Sequence, residues 1–246
     1  MKASKKAEQI RKPEKPEKQA IVKIYGPFFR FARFLASPFL RRCRLDGPAP
    51  EAPTVFLCRH KNMQGPLATL TSYGMEVHPL VLSVFFHYND CRRQYRDFTF
   101  SERAGMKKPM AAVLSSLAAL VVVPTIRSLR SIPVYRGRDL RSASTVKMTV
   151  ECLVKGENVI LYPDLAYSDV SDRTGDIYSG FLLFDKYYFR ETGQHIRFVV
   201  LTPDKENRLI RQSAPLSLPE GPATKEAEKE LLTDVRRLMF PNTSDE

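Results

Sequence analysis

The sequence predicts an α/β fold, a mainly parallel central sheet flanked by helices, preceded by an N-terminal amphipathic helix. Three observations lead to it. From residue 54 onward, apolar runs of strand length alternate with longer stretches of helical period. The connections between them are short, as they are when each helix packs back on the sheet that it leaves. Each apolar run also stops at a polar or turn-forming tip, so the tips can gather around one pocket.

Strands are expected over 54–58, 79–86, 131–135, 158–162 and 197–201, and helices over 64–74, 109–123, 139–155, 178–192 and 223–239. The 246 residues suit one sizeable domain with appendages, and 43% hydrophobic content suffices for a full core. Residues 1–20 (MKASKKAEQIRKPEKPEKQA) carry charge, two prolines and almost nothing to bury, so they read as a disordered basic tail. Residues 21–46 form an amphipathic membrane-binding helical segment, and 47–246 the α/β domain.

In IYGPFFRFARFLASPFLRRCRL, Pro27 suits a first helical turn and Pro38 should kink or split the helix. At about 100° per residue, Phe28, Phe31, Ala32, Leu35, Ala36, Phe39 and Cys43 share one side. Arg30, Arg33, Ser37, Arg41 and Arg44 share the other. An aromatic face opposite arginines describes a helix lying in the headgroup region of an anionic membrane. The same pattern also serves a helix whose aromatics pack on the protein's own core. Between Lys108 and Arg127 there is no charge. Pro109 and Pro124 bracket a helix expected to be shorter than the about 20 residues that cross a bilayer, so it is read as buried or shallowly inserted in one leaflet.

Of the net charge of +12, residues 1–45 supply ten, from thirteen Lys or Arg and three acids. A nucleic-acid groove would spread its charge over the folded body, so no nucleic-acid partner is expected. Cys43, Cys58, Cys91 and Cys152 form no CxxC pair and no Cys/His cluster of zinc spacing, so no metal is expected and the thiols read as reduced. No secretory signal pattern opens the sequence, which places the expected location at the cytoplasmic face of a membrane, as a peripheral protein. The loop 168–181 lacks the spacing of a calcium loop, and His78, His87 and His195 have no partners at ligand spacing and read as structural.

Chemistry is best sought where strands end. In VFLCRHKNMQGPLATL the apolar run stops at Arg59-His60, and a histidine at the carboxyl end of a strand can act as general base towards a hydroxyl. SIPVYRG ends in Arg136-Gly137, GENVILYPDLAYSD in Tyr162-Pro163-Asp164, and IRFVVLTP in a proline.

The order and spacing of these four tips resemble the glycerolipid acyltransferase superfamily, whose best-known member is the lysophosphatidic acid acyltransferase. That pattern is a strand ending in H-x4-D, a hydrophobic-x-R-G strand, FPEGTRS, and a strand with VPV; here RHKNMQG, IPVYRG, LYPDLAYSD and FVVLTP stand in those places, over residues 54–205. The resemblance implies transfer of an acyl chain from acyl-CoA or acyl-ACP to a hydroxyl of a glycerolipid or lysophospholipid at the membrane surface. It casts His60 as general base, with Asn62, Gly65, Arg136, Gly137, Pro163, Asp164 and Tyr167 lining the acceptor pocket. No bound cofactor is implied. The implied partners are an anionic membrane surface, a glycerolipid acceptor, and acyl carrier protein where it carries the donor.

The chain departs from the pattern in two places. Gly65 stands where the family has the aspartate that holds the imidazole, and Tyr167 where it has the phosphate-binding arginine; Asp164 and Leu165 replace its glutamate and glycine. The orienting group is therefore expected from Asp164, Asp169, Asp90 or the backbone, and a phosphate would fall to Arg127, Arg130 or Arg136. The alternative is a catalytically weakened protein of this fold that binds lipid or acyl chains without turnover.

Overall fold

The computed structural model describes residues 24–38, 42–71, 76–135, 140–165 and 176–241. The strands are β1 (Arg44–Leu45), β2 (Thr54–Cys58), β3 (His78–Leu82), β4 (Ile132–Val134), β5 (Val159–Leu161), β6 (Arg197–Asp204) and β7 (Leu209–Gln212). They form one sheet in the order β1-β7-β6-β2-β5-β3-β4. Among these seven strands the β6–β7 pair is antiparallel and the other pairs are parallel, with Val55 opposite Val159 and Phe198 at the centre.

Among the described residues, the α-helices are α1 (Pro27–Ala36), α2 (Gln64–Thr71), α3 (Tyr88–Gln94), α4 (Lys108–Ser128), α5 (Leu140–Val154), α6 (Leu182–Thr192) and α7 (Lys225–Met239). A 3-10 turn (Ser83–Phe86) and a π-helix (Tyr95–Arg103) bracket α3.

Every residue of β2 is buried, as a central parallel strand requires. Val55 and Leu57 face a core built with Val150 and Leu153 of α5, Phe184 and Tyr188 of α6, and Leu231 and Val235 of α7. Phe56 and Cys58 point the other way, into a smaller core with Ala68 of α2, Ile160, Val199, Leu201 and Cys43. Helices thus cover both faces.

This arrangement positions the site. From β2 the chain runs through α2 to β3, beyond β5 on one side; from β5 it runs through α6 to β6, beyond β2 on the other. The neighbouring tips of β2 and β5 therefore diverge in opposite directions, and open α/β sheets hold ligands in the crevice at such a divergence.

Several expectations change. β3 ends at Leu82, because residues 83–86 turn into a 3-10 helix. Two short strands at one side of the sheet, the edge strand β1 and its neighbour β7, are additions to the expected set, and β1 lies inside the segment assigned to the amphipathic helix. The helix itself stops at Ala36, before Pro38, so Cys43 lies on no helix face and is buried in the smaller core. Phe29 is its buried aromatic, packed with Ile24, Tyr25 and Leu129, while Phe28, Phe31, Phe34 and Leu35 are exposed.

Most consequential is α4, which continues through Pro124 and reaches 21 residues, long enough by length and composition to cross a membrane. It is no core helix: Ala111, Ser115, Ala119 and Val123 are its buried residues. α1 is pinned to its end. Gly26 N–H donates to the Ser128 carbonyl at 2.7 Å and Phe29 N–H to Ser128 Oγ at 2.8 Å. A Cβ on Gly26 would stand 2.8 Å from that oxygen.

Candidate active site

His60 follows β2 by two residues, at the divergence between β2 and β5. The turn that carries it is unusual. Lys61, Asn62 and Met63 have φ of +40°, +50° and +69°, three consecutive left-handed residues of which only Asn62 tolerates that region readily. Such a turn costs about 1–2 kcal/mol per residue and persists only when its surroundings hold it.

Asp164 supplies that hold. Its buried carboxylate, three residues beyond β5, accepts the His60 N–H at 2.8 Å and lies 3.5 Å from the Lys61 N–H. Asp164 is itself fixed by a bridge to Ile177, with the Tyr178 N–H donating to the Pro163 carbonyl at 2.7 Å. Of the carboxylates considered for the imidazole, Asp164 acts on the backbone of His60, Asp90 lies on α3, and Asp169 falls outside the described residues.

The Met63 N–H donates to His60 Nδ1 at 3.3 Å. A nitrogen that accepts carries no proton, so in the neutral ring this contact places the hydrogen on Nε2. At 3.3 Å the bond is longer than the usual 2.7–3.2 Å range and correspondingly weak.

Gly65 is explained by crowding. A Cβ there would stand 1.9 Å from the Arg59 carbonyl oxygen and 3.1 Å from Cys58 Sγ. The start of α2 is pressed against the end of β2, which leaves no room for a side chain at the position where the resembled pattern has its aspartate.

Beside the imidazole stands Tyr162, which the sequence marks as a strand tip but not as a site residue. The Tyr162 ring meets His60 edge-on, with centroids 5.8 Å apart. Its hydroxyl donates to Thr69 Oγ1 at 2.8 Å, since that oxygen already donates to the Gly65 carbonyl at 2.9 Å. Burial pushes the Tyr162 phenol well above its ordinary value against the lowering effect of Thr69, so it stays neutral. Burial likewise pushes the Cys58 thiol far up, with Asp164 adding to it, which removes Cys58 as a nucleophile. The Arg59 guanidinium stacks 4.3 Å over the Phe240 ring. The one available signal for Tyr162 was its place directly after the apolar run of β5.

Among the sequence-predicted site residues, the fold brings together His60, Asn62, Gly65, Pro163 and Asp164; Arg136, Gly137 and Tyr167 lie outside the described residues. Arg130 belongs to the opposite end of the sheet, where its carbonyl accepts the His78 Nδ1–H at 2.8 Å, at the start of β3. Arg127 donates to the Phe86 carbonyl at 2.8 Å. On α1, Phe28, Phe31 and Leu35 are exposed, Arg30 pairs with Glu76 at 3.5 Å, and Arg33 is half-buried; Phe39 lies outside the described residues. Against the expectation of no partners at ligand spacing, His78 pairs with the half-buried Glu157 at 3.1 Å and shares with it and Cys152 a cluster whose ligand atoms lie within 4.8 Å of one another, while His195 pairs with the buried Asp185 at 2.8 Å.

No protein-family model matches the chain, and no curated protein matches it. Among solved structures it is similar to the 1-acyl-sn-glycerophosphate (LPA) acyltransferase PlsC from Thermotoga maritima. The identity is 12% and the TM-score 0.46, over 89% of this chain and 80% of that one. The α/β assignment rests on the strand order and register of this chain, and no residue role is carried over from that likeness.

Proposed function

We propose that the protein is an acyltransferase, moving an acyl chain from a thioester to a hydroxyl of a glycerolipid or lysophospholipid, with His60 as general base. The supporting observation is the placement of an imidazole at the divergence of β2 and β5, on a strained turn that the Asp164 carboxylate holds. Strain held at one point of a fold is a mark of function.

In this reading the acceptor hydroxyl displaces the weak Met63 N–H contact and meets the lone pair of Nδ1. Its oxygen attacks the thioester carbonyl carbon as the proton passes to the imidazole. The tetrahedral intermediate then collapses, the C–S bond breaks, and the imidazolium returns the proton to the leaving thiolate. Acyl-CoA and acyl-ACP are the donor classes proposed. The exposed aromatics of α1 would seat the enzyme at the cytoplasmic face of an anionic membrane as a peripheral protein.

One observation favours a second reading, a lipid or acyl-chain binder without turnover. With Nδ1 engaged by the Met63 N–H and the neutral ring's proton on Nε2, neither nitrogen stands ready as a base. Incubating purified protein with labelled acyl thioesters and a panel of lysolipids and glycerol derivatives separates the two. Transfer of label to a hydroxyl supports the enzyme; saturable binding without product supports the binder.

A further inference from the structure

The apolar face of α4 is unaccounted for by the site or by the protein's own core. Met110, Val113, Leu117, Leu120 and Val121 are each more than half exposed. At about 100° per residue they form one stripe, opposite the buried Ala111, Ser115, Ala119 and Val123. No charged residue falls between Pro109 and Ile126, whereas exposed Lys107 and Lys108 stand at one end of the helix and exposed Arg127 at the other. A continuous exposed apolar surface of this kind marks a partner or a membrane.

Crossing a bilayer is excluded by the company α4 keeps. Its buried face packs on Cys91, Phe85 and Tyr95, from α3 and the turns beside it. Those same elements carry Arg92, Arg93, Arg96, Asp97, Glu102 and Arg103. A spanning α4 would drag them into hydrocarbon, where charges are costly. Lying flat, the helix puts its stripe among acyl chains while its terminal cations stay with the headgroups. α1, with exposed Phe31 and Phe34, is bonded to the end of the same helix through Gly26, Phe29 and Ser128.

We propose that α4 is a second membrane contact, which lies along the interface of an anionic bilayer beside α1 with Met110, Val113, Leu117, Leu120 and Val121 in the acyl region. This rests on the membrane reading of α1 and deepens it: two helices joined at Ser128 fix the depth and tilt of the domain, where a single helix would leave it free to swivel.

The chain contains no tryptophan, so single substitutions report cleanly. Phe31→Trp on α1, Leu117→Trp on α4 and Tyr187→Trp on α6 are each titrated with phosphatidylglycerol–phosphatidylcholine vesicles, with and without bromine on the acyl chains. The expected result is a blue shift and acyl-bromine quenching for the first two and neither for the third. Leu117→Asp should also weaken vesicle partitioning by about tenfold or more, the equivalent of one large buried side chain. A silent Leu117→Trp beside a responsive Phe31→Trp overturns the role of α4 and leaves α1 standing. If both are silent, the membrane reading fails and this inference with it. Emission from Leu117→Trp that is already blue-shifted without vesicles, with a dimer in sedimentation, assigns the stripe to a second copy and overturns the proposal.

Discussion

The carboxylate of Asp164 accepts the backbone N–H of His60 at 2.8 Å, joining the tip of β5 to the turn that carries the imidazole. The two strands are direct neighbours in the sheet, so the site residue is located by core packing and one charge-assisted bond.

Asp164→Ala removes that bond from a strained turn. It should cost about 1.5–3 kcal/mol, the value of a hydrogen bond to a charged group, and lower activity by more than the loss of folded protein explains. Chemical denaturation and initial rates on the same samples check both. Asp164→Asn, which keeps one acceptor oxygen, should recover part of each.

Gly65→Ala should destabilise by about 3 kcal/mol or more, because overpacking against rigid backbone is not relieved by rotamer changes. The contact is the 1.9 Å approach to the Arg59 carbonyl. Gly65→Asp, which would restore the carboxylate of the resembled pattern, should therefore be at least as harmful. A folded Gly65→Asp protein with raised activity would show that the turn can rearrange.

How much of this was legible in the sequence depends on what each feature needs. The expected bounds of β2 match the structure because the four-residue apolar run Val55–Cys58, entered through β-branched Thr54 and stopped at Arg59-His60, permits little else. β1 and β7 escaped because two and four residues carry too little pattern, and their arginines read as surface. α4 was cut short at Pro124, yet a proline removes one N–H only, and Thr125 Oγ1 donates to the Val121 carbonyl at 2.7 Å beside the gap. The sequence offers Asp164 as a partner for the His60 ring, whereas the structure sets it on the His60 backbone N–H. That distinction follows from three left-handed residues in Lys-Asn-Met, and neither Lys61 nor Met63 announces one.

The buried His195–Asp185 pair should make stability depend on pH in a definite direction. Nδ1 donates to Asp185 Oδ2 at 2.8 Å and Nε2 to the Gly221 carbonyl at 2.7 Å. Burial pulls the imidazole down, but the Gly221 carbonyl and the Asp185 carboxylate outweigh it, and the net shift is upward. A raised folded value means that the stabilisation is fully present below the unfolded value of 6.5 and is lost as pH rises through the folded one. The melting temperature should fall as pH rises above 6.5 and through the raised folded value, and His195→Gln should flatten that limb. An equal slope in the variant would place its origin elsewhere.

Removing residues 1–45 would be a poor test of membrane binding, since Ile24, Tyr25, Phe29 and Cys43 are buried and β1 pairs with β7. Phe31→Asp with Phe34→Asp is the sharper variant. Both side chains are exposed, so stability should change by no more than about 0.5 kcal/mol per site, while sedimentation with anionic vesicles should drop severely. Unchanged sedimentation would remove α1 from the membrane account.

The central claim is that His60 carries the proton of the acceptor hydroxyl, and His60→Ala in the acyl-transfer assay tests it most directly. The backbone bond to Asp164 survives this substitution, so the fold should be kept and the melting temperature should move little. Turnover per folded molecule should fall by about 10²–10⁴-fold, the contribution of a general base. Wild-type turnover in a folded His60→Ala protein would contradict the claim.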